Sequence, residues 1–252
     1  MNKVHLLIVG MALLSACKSN HVMSSLQGET LNNDAYHAYV DSNLVRFVEP
    51  YNEEMEKAMS GVVIVADKAM VADHPESELT NCLTDMFLEN MRQIGARLPE
   101  SPYPQVGYIN FYSLRSSFPA GDIKLRNIYE MLPFENQVVY LQITGANMLK
   151  FAEITALRGG DAVSGMRLTI TPDNKVGTFE INGQAFDKNK NYWIVTSDYV
   201  ANGGDNMTMF SNPLQRVESG LKIRDTFIDY MRAEHEAGRK LSGKLDGRIF
   251  YE

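Results

Sequence analysis

The chain has 252 residues, 44% of them hydrophobic, and a formal charge of -7. That length supports one core of ordinary size. The acidic balance makes the long-range field repulsive to nucleic acid and to anionic membrane surfaces, so neither is expected as a partner.

The first elements concern targeting. Lys3, with His5 nearby, precedes the short apolar run 6–14, and Leu14-Ser-Ala-Cys17 then matches a bacterial lipoprotein cleavage box. The run is too short to span a bilayer. Residues 1–16 are therefore read as a signal peptide and Cys17 as the acylated first residue of the mature chain; an ordinary cleaved secretory signal is the alternative. Loss of residues 1–16 removes one charge, Lys3, and leaves -8. The expected location is exported and membrane-anchored, on a periplasmic or cell-surface face, held by lipid without spanning. Residues 17–40 are read as a polar tether and 41–252 as one domain. Cys82 is then the only other cysteine, so no intramolecular disulfide is possible. It falls on an apolar helix face, where a small buried hydrophobe is expected.

Next, residues 41–59 carry Leu44, Phe47, Val48, Tyr51, Met55 and Met59 at helical spacing, with Pro50 expected to break or bend this linker helix. Residues 61–66 read as a buried strand. Ser77 is a good N-cap for a helix placing Leu79, Cys82, Leu83, Met86, Phe87 and Met91 on one face. A short strand at 106–110, a short helix at 125–132 and an alternating strand at 137–143 follow. Met148, Phe151, Ala152 and Ala156 recur at helical spacing. Asn182-Gly183 is a hairpin signal. Residues 193–197 read as the last buried strand, and 221–236 as an amphipathic helix with Ile223, Phe227, Ile228 and Met231 inward. Strands and helices interleave, so the class is α/β, with mixed sheets layered with helices.

The chemistry gathers in the loops. After the strand at 193–197 comes Tyr199-Val-Ala-Asn202-Gly203-Gly204-Asp205. The glycines permit positive φ and close backbone approach, Asp205 offers two acceptor oxygens, and Tyr199 offers a ring face. Upstream lie Glu76-Ser-Glu-Leu-Thr-Asn81 with Asp85, Asn110-Phe-Tyr-Ser-Leu-Arg115, Gly121-Asp-Ile, Leu132-Pro-Phe134-Glu-Asn136 and Leu141-Gln-Ile-Thr-Gly145. Each piece has a plain structural alternative. Phe134 could be core, Tyr199 a packing residue, Arg115 a solvated charge, and Asp205 a turn cap.

In this order and spacing, from about residue 76 to 231, the set resembles the C-terminal domain of the 5'-nucleotidase family. The resemblance implies that Phe134 and Tyr199 sandwich a base, that Asp205 in the turn Asn202-Gly203-Gly204-Asp205 takes the ribose, and that Asn110 lies near the base and Arg115 near sugar or phosphate. The two rings should then face one cleft with a gap of about 7 Å, two stacking contacts of roughly 3.5 Å each. The pattern departs at Tyr112-Ser113, where the family has glycines, and at Thr80, where it has one glycine. No arginine precedes Glu76 in Met70-Val-Ala-Asp-His-Pro75, and Asn206-Met207 follows the aspartate in place of a glycine and an aromatic.

A two-metal phosphoesterase centre needs clustered His, Asp and Asn ligands. The five histidines, His5, His21, His37, His74 and His235, form no His-x-His, Gly-Asn-His or Asp-x-His arrangement. The reading is of a nucleotide-recognition component without its own catalytic domain. No cofactor is expected in this chain, and divalent metals only in a separate metallophosphoesterase partner. The alternative is a stand-alone lipoprotein that binds nucleosides or nucleotides for scavenging.

Overall fold

The computed structural model describes residues 41–252. The expected signal peptide, the expected acylation site at Cys17 and the expected tether lie outside the described residues. Of the segment ending at Pro50, residues 42–50 belong to helix α1 (Ser42–Met59), which runs continuously through Pro50 instead of breaking there. The compact unit is Tyr51–Glu252.

Three sheets organise that unit. Strand β1 (Val62–Ala66) pairs antiparallel with β3 (Gly121–Lys124). The central sheet has the order β10 (Gln215–Lys222), β4 (Gln137–Thr144), β9 (Asn191–Ser197), β2 (Val106–Ile109), β5 (Ala162–Ser164). The third has β11 (Ile249–Tyr251), β6 (Met166–Ile170), β7 (Val176–Ile181), β8 (Gln184–Ala185), with Asn182-Gly183 turning β7 into β8. Helices α2 (Glu78–Gly95), α3 (Leu125–Met131), α4 (Gly145–Leu157), α5 (Asp198–Ala201) and α6 (Ile223–Glu236) complete the unit. This is the mixed α/β class read from the sequence. Strand β9 is the last strand that is mostly buried, and the two that follow it, β10 and β11, are largely exposed. Each buries a single residue, Val217 and Ile249, so neither shows an alternating apolar signal.

The central sheet is buried on both faces. Successive side chains of a strand point to opposite sides. Accordingly Val138 and Tyr140 join one core with Leu83, Phe87 and Met91 of α2 and Phe227 and Met231 of α6. Val139, Leu141 and Ile143 join the other, with Met148, Phe151 and Ala152 of α4. Helix α2 starts where Ser77 predicts. Ser77 Oγ accepts from Thr80 N at 3.1 Å, and Thr80 Oγ1 accepts from Ser77 N at 2.9 Å. Thr80 thus closes a capping box, a motif that stabilises a helix start by about 1 kcal/mol. The rest of that segment fastens the C-terminal chain. Glu76 accepts from Gly247 N at 2.9 Å, Asn81 Nδ2 donates to Lys244 O at 2.8 Å, and Asp85 takes both Nη1 and Nη2 of Arg248 at 2.7 Å.

Register then decides where the loops meet. In the antiparallel β4–β9 pair, Val138 faces Ser197, so the turn before β4 and the turn after β9 share one end of the sheet. Strand β2 runs parallel to β9, with Val106 facing Ile194, so the loop after Ile109 reaches the same end. Ile109 faces Ala162 and Gln137 faces Lys222, which brings the residues before β5 and after β10 there too.

Candidate functional site

At that end lies a cleft of about 230 Å³ lined by Asn110, Tyr112, Ser113, Phe134, Asn136, Tyr199 and Asp205. Four of the residues singled out in the sequence, Asn110, Phe134, Tyr199 and Asp205, therefore come together. Phe134 is 49% exposed and Tyr199 46%, so neither is a core side chain. Tyr112, one of the departures from the family pattern, contributes a third exposed ring to the lining.

The Asp205 turn is built by its glycines. Ser197 caps α5 by accepting from Val200 N at 3.2 Å, and the helix stops after one turn. Gly203 then takes φ +91°, a conformation that a side chain disfavours. At Gly204 the constraint is space. A Cβ there would lie 2.5 Å from Tyr199 Cε1 and 2.6 Å from the Tyr199 carbonyl oxygen. Asp205 itself sits at φ +53°, in the left-handed region that Asp and Asn tolerate better than most residues. Asn110 Nδ2 donates to Asp205 Oδ2 at 2.7 Å, and Tyr199 Oη donates to Asp205 Oδ1 at 3.0 Å. A carboxylate has about four lone-pair positions. Two are taken, and each oxygen retains one for a ligand such as a vicinal diol.

Beneath the cleft lies a support that the sequence reading missed. Asp161 is buried and accepts from Phe111 N at 2.9 Å, Ala162 N at 3.0 Å, Tyr108 Oη at 3.0 Å and Arg158 Nη1 at 3.1 Å. Arg158 also donates from Nη2 to the Asp205 carbonyl. The pair thereby ties the Asn110 loop to the Asp205 turn. Burial pushes the Asp161 carboxyl above the usual carboxylate range, opposed by the Phe111 and Ala162 amides and by Arg158. Burial also raises the Tyr108 phenol, and the charge of Asp161 adds to it. A signal was available: Gly159-Gly160-Asp161 repeats the residue types of Gly203-Gly204-Asp205.

The remaining site residues are placed differently. Arg115 is exposed, donates to Tyr112 O at 3.4 Å and is not among the residues lining the cleft. Asn202 is exposed and accepts from Arg216 Nη1 at 2.8 Å. Among the described residues, no group of three or more His, Cys, Asp or Glu side chains could hold a metal ion, so they do not fit a two-metal centre.

Comparison with known proteins places this geometry in a family. The chain is 25% identical over 219 residues to the trifunctional nucleotide phosphoesterase protein YfkN of Bacillus subtilis, covering 80% of this chain and 14% of that protein. It is 21% identical over 234 residues to the cell wall protein Lmo0130 of Listeria monocytogenes, covering 84% and 30%. The crystal structure of a 5'-nucleotidase precursor from Thermus thermophilus superposes with a TM-score of 0.68 at 25% identity, covering 82% of this chain and 42% of that one. The chain thus spans less than half the length of each. The family model for the 5'-nucleotidase C-terminal domain matches residues 61–212, more than half of the sequence. The chain therefore belongs to the 5'-nucleotidase family through its C-terminal domain.

Proposed function

We propose that the cleft binds a nucleoside or nucleotide, and that the chain serves nucleotide catabolism as the recognition component beside a separate metallophosphoesterase. One observation carries the reading: two half-exposed rings, Phe134 and Tyr199, line one cleft with a carboxylate that keeps free acceptor positions. Rings cover a base, with stacking worth about 1–3 kcal/mol, and the carboxylate takes the ribose hydroxyls. Divalent metal belongs to the partner in this reading, and Cys17 supplies the lipid anchor. Similarity to a cell wall protein supports export. The test is co-purification with the exported phosphoesterase of the same cell, together with AMP hydrolysis by the two proteins mixed. No association and unchanged turnover would refute the split enzyme.

A second reading, a stand-alone binding lipoprotein for scavenging, is favoured by the lining itself. Asn110, Tyr112, Ser113, Phe134, Asn136, Tyr199 and Asp205 include no cation to meet a phosphate. Calorimetry with adenosine and AMP separates the two. Equal affinities favour nucleoside capture, whereas a gain for AMP only in the presence of the phosphoesterase favours the split enzyme.

A further inference from the structure

The side chains lining the cleft carry one charge, and it is negative. Tyr112, Phe134 and Tyr199 are exposed rings, Asn110, Ser113 and Asn136 are neutral, and Asp205 is the carboxylate. Among the described residues, Asp205 forms no ion pair. Its two oxygens meet Asn110 Nδ2 and Tyr199 Oη, both uncharged donors.

The arginines around the cleft are engaged elsewhere. Arg158 meets Asp205 at its backbone carbonyl, and its charge pairs with Asp161 at 3.1 Å. Arg224 fastens the turn that carries Phe134, donating from Nη1 to Leu132 O and Pro133 O, both at 3.2 Å, and it pairs with Glu135. Arg216 pairs with Glu218 at 2.6 Å. Arg115 bonds to the Tyr112 carbonyl and does not line the cleft. The charge of Asp205 is thus left without a cation, beside three rings. A ring face is negative and attracts a cation placed within about 6 Å of its centre. Tyr199 donates its hydroxyl to a carboxylate, which polarises the phenol and makes its ring face more negative.

We propose that the cleft selects nucleosides whose base carries a positive charge, N-alkylated purines and pyrimidines being the chemical class. Tyr112, Phe134 and Tyr199 take the cationic ring, and Asp205 balances its charge. The inference rests on the reading of the cleft as a nucleoside site. A neutral base gains stacking alone. A cationic base of the same shape gains stacking, the attraction of the ring faces and the field of Asp205. Tyr112 acquires a role in this reading: where the family pattern has a glycine, this chain adds a third ring.

The test is calorimetry on the unaltered chain with nucleosides matched in shape and differing in charge. 1-Methyladenosine is cationic at neutral pH and 1-methylinosine is neutral; 3-methylcytidine and 3-methyluridine form the second such pair. Adenosine with inosine, and cytidine with uridine, are the uncharged controls for exchanging an amino group for an oxo group. Salt at about 0.15 M screens charges beyond roughly 8 Å and so removes the pull of the acidic surface. The cationic member is expected to bind about tenfold more tightly than its neutral partner, after division by the control ratio, within the range for a cation over ring faces. Tyr112→Ala removes one exposed ring, and Asp205→Asn removes the charge while keeping an acceptor. Each should shrink that margin, and a ratio is insensitive to a general weakening of binding. No margin in the unaltered chain would overturn the charge preference and leave the nucleoside cleft standing. A margin that survives intact in both variants would also overturn it. Absence of binding by all eight nucleosides would overturn both readings. If a variant does not fold, the ligand series on the unaltered chain decides.

Discussion

Asn110 Nδ2 donates to Asp205 Oδ2 across 2.7 Å, joining the loop after β2 to the turn after β9. Asn110 is 5% exposed, so its amide has little water to fall back on. Asp205→Ala strands that amide and releases the Tyr199 hydroxyl, and is expected to cost about 1–3 kcal/mol of stability. Asp205→Asn keeps an acceptor and tolerates the left-handed backbone. It should therefore unfold close to the unaltered protein yet bind nucleosides more weakly, having lost one acceptor oxygen. Thermal melts with parallel titrations check both; equal stability of the Ala and Asn variants would contradict the pairing.

Phe134→Ala separates a binding ring from a packing ring. A buried phenylalanine would cost about 3–5 kcal/mol on truncation. Phe134 is half exposed, so the expected loss of stability is about 1 kcal/mol or less. Nucleoside affinity should fall by about 1–3 kcal/mol. Urea unfolding and calorimetry measure the two effects; a large loss of stability without a binding defect would return Phe134 to the core.

Gly204→Ala puts a methyl where the Tyr199 ring and carbonyl already are, at 2.5 and 2.6 Å. Because backbone is involved, the clash is not relieved by rotating a side-chain end. The expected cost is about 1–3 kcal/mol, together with weaker nucleoside binding as the ring shifts. If melting temperature and affinity both match the unaltered protein, the turn is looser than its contacts indicate.

Cys82 carries the pH prediction. Burial, with the nearby charge of Asp85, pushes its thiol from 9.0 up to about 12. The folded state therefore holds this proton more tightly than the unfolded state. The stabilisation is fully present below pH 9 and is lost as pH rises from 9 towards 12. At pH 10 the unaltered protein should have lost about 1.4 kcal/mol relative to Cys82→Ala, compared with the difference at pH 8. Denaturant unfolding of both at the two pH values measures this, and a pH-independent difference would show the thiol is not buried as described.

Much of the site was legible as loops. Val138 to Ile143 set a strand, though not that both its faces are buried, and Ser77 with Leu79, Leu83 and Phe87 set a capped helix. Gly203-Gly204-Asp205 announced a tight turn, because only glycine suits the φ at 203 and the contact at 204. These are local constraints, and local spacing carries them. The sequence alone also holds the export and lipidation reading at Cys17. What tertiary structure decided is which loops meet. Strand register brings Asn110, Phe134, Tyr199 and Asp205 to one end of the sheet, and register depends on residues dozens of positions apart. The same register delivers Asp161 and Arg224. Gly159-Gly160-Asp161 was a local sign of the first and Arg224 had none; the groups they fasten include the Asp205 carbonyl, reached through Arg158, and the carbonyls of Leu132 and Pro133, backbone groups that no residue pattern encodes. Arg115 shows the converse. The family resemblance implied an arginine near sugar or phosphate, but the direction of a long side chain is set by neighbours, and here it bonds to the Tyr112 carbonyl.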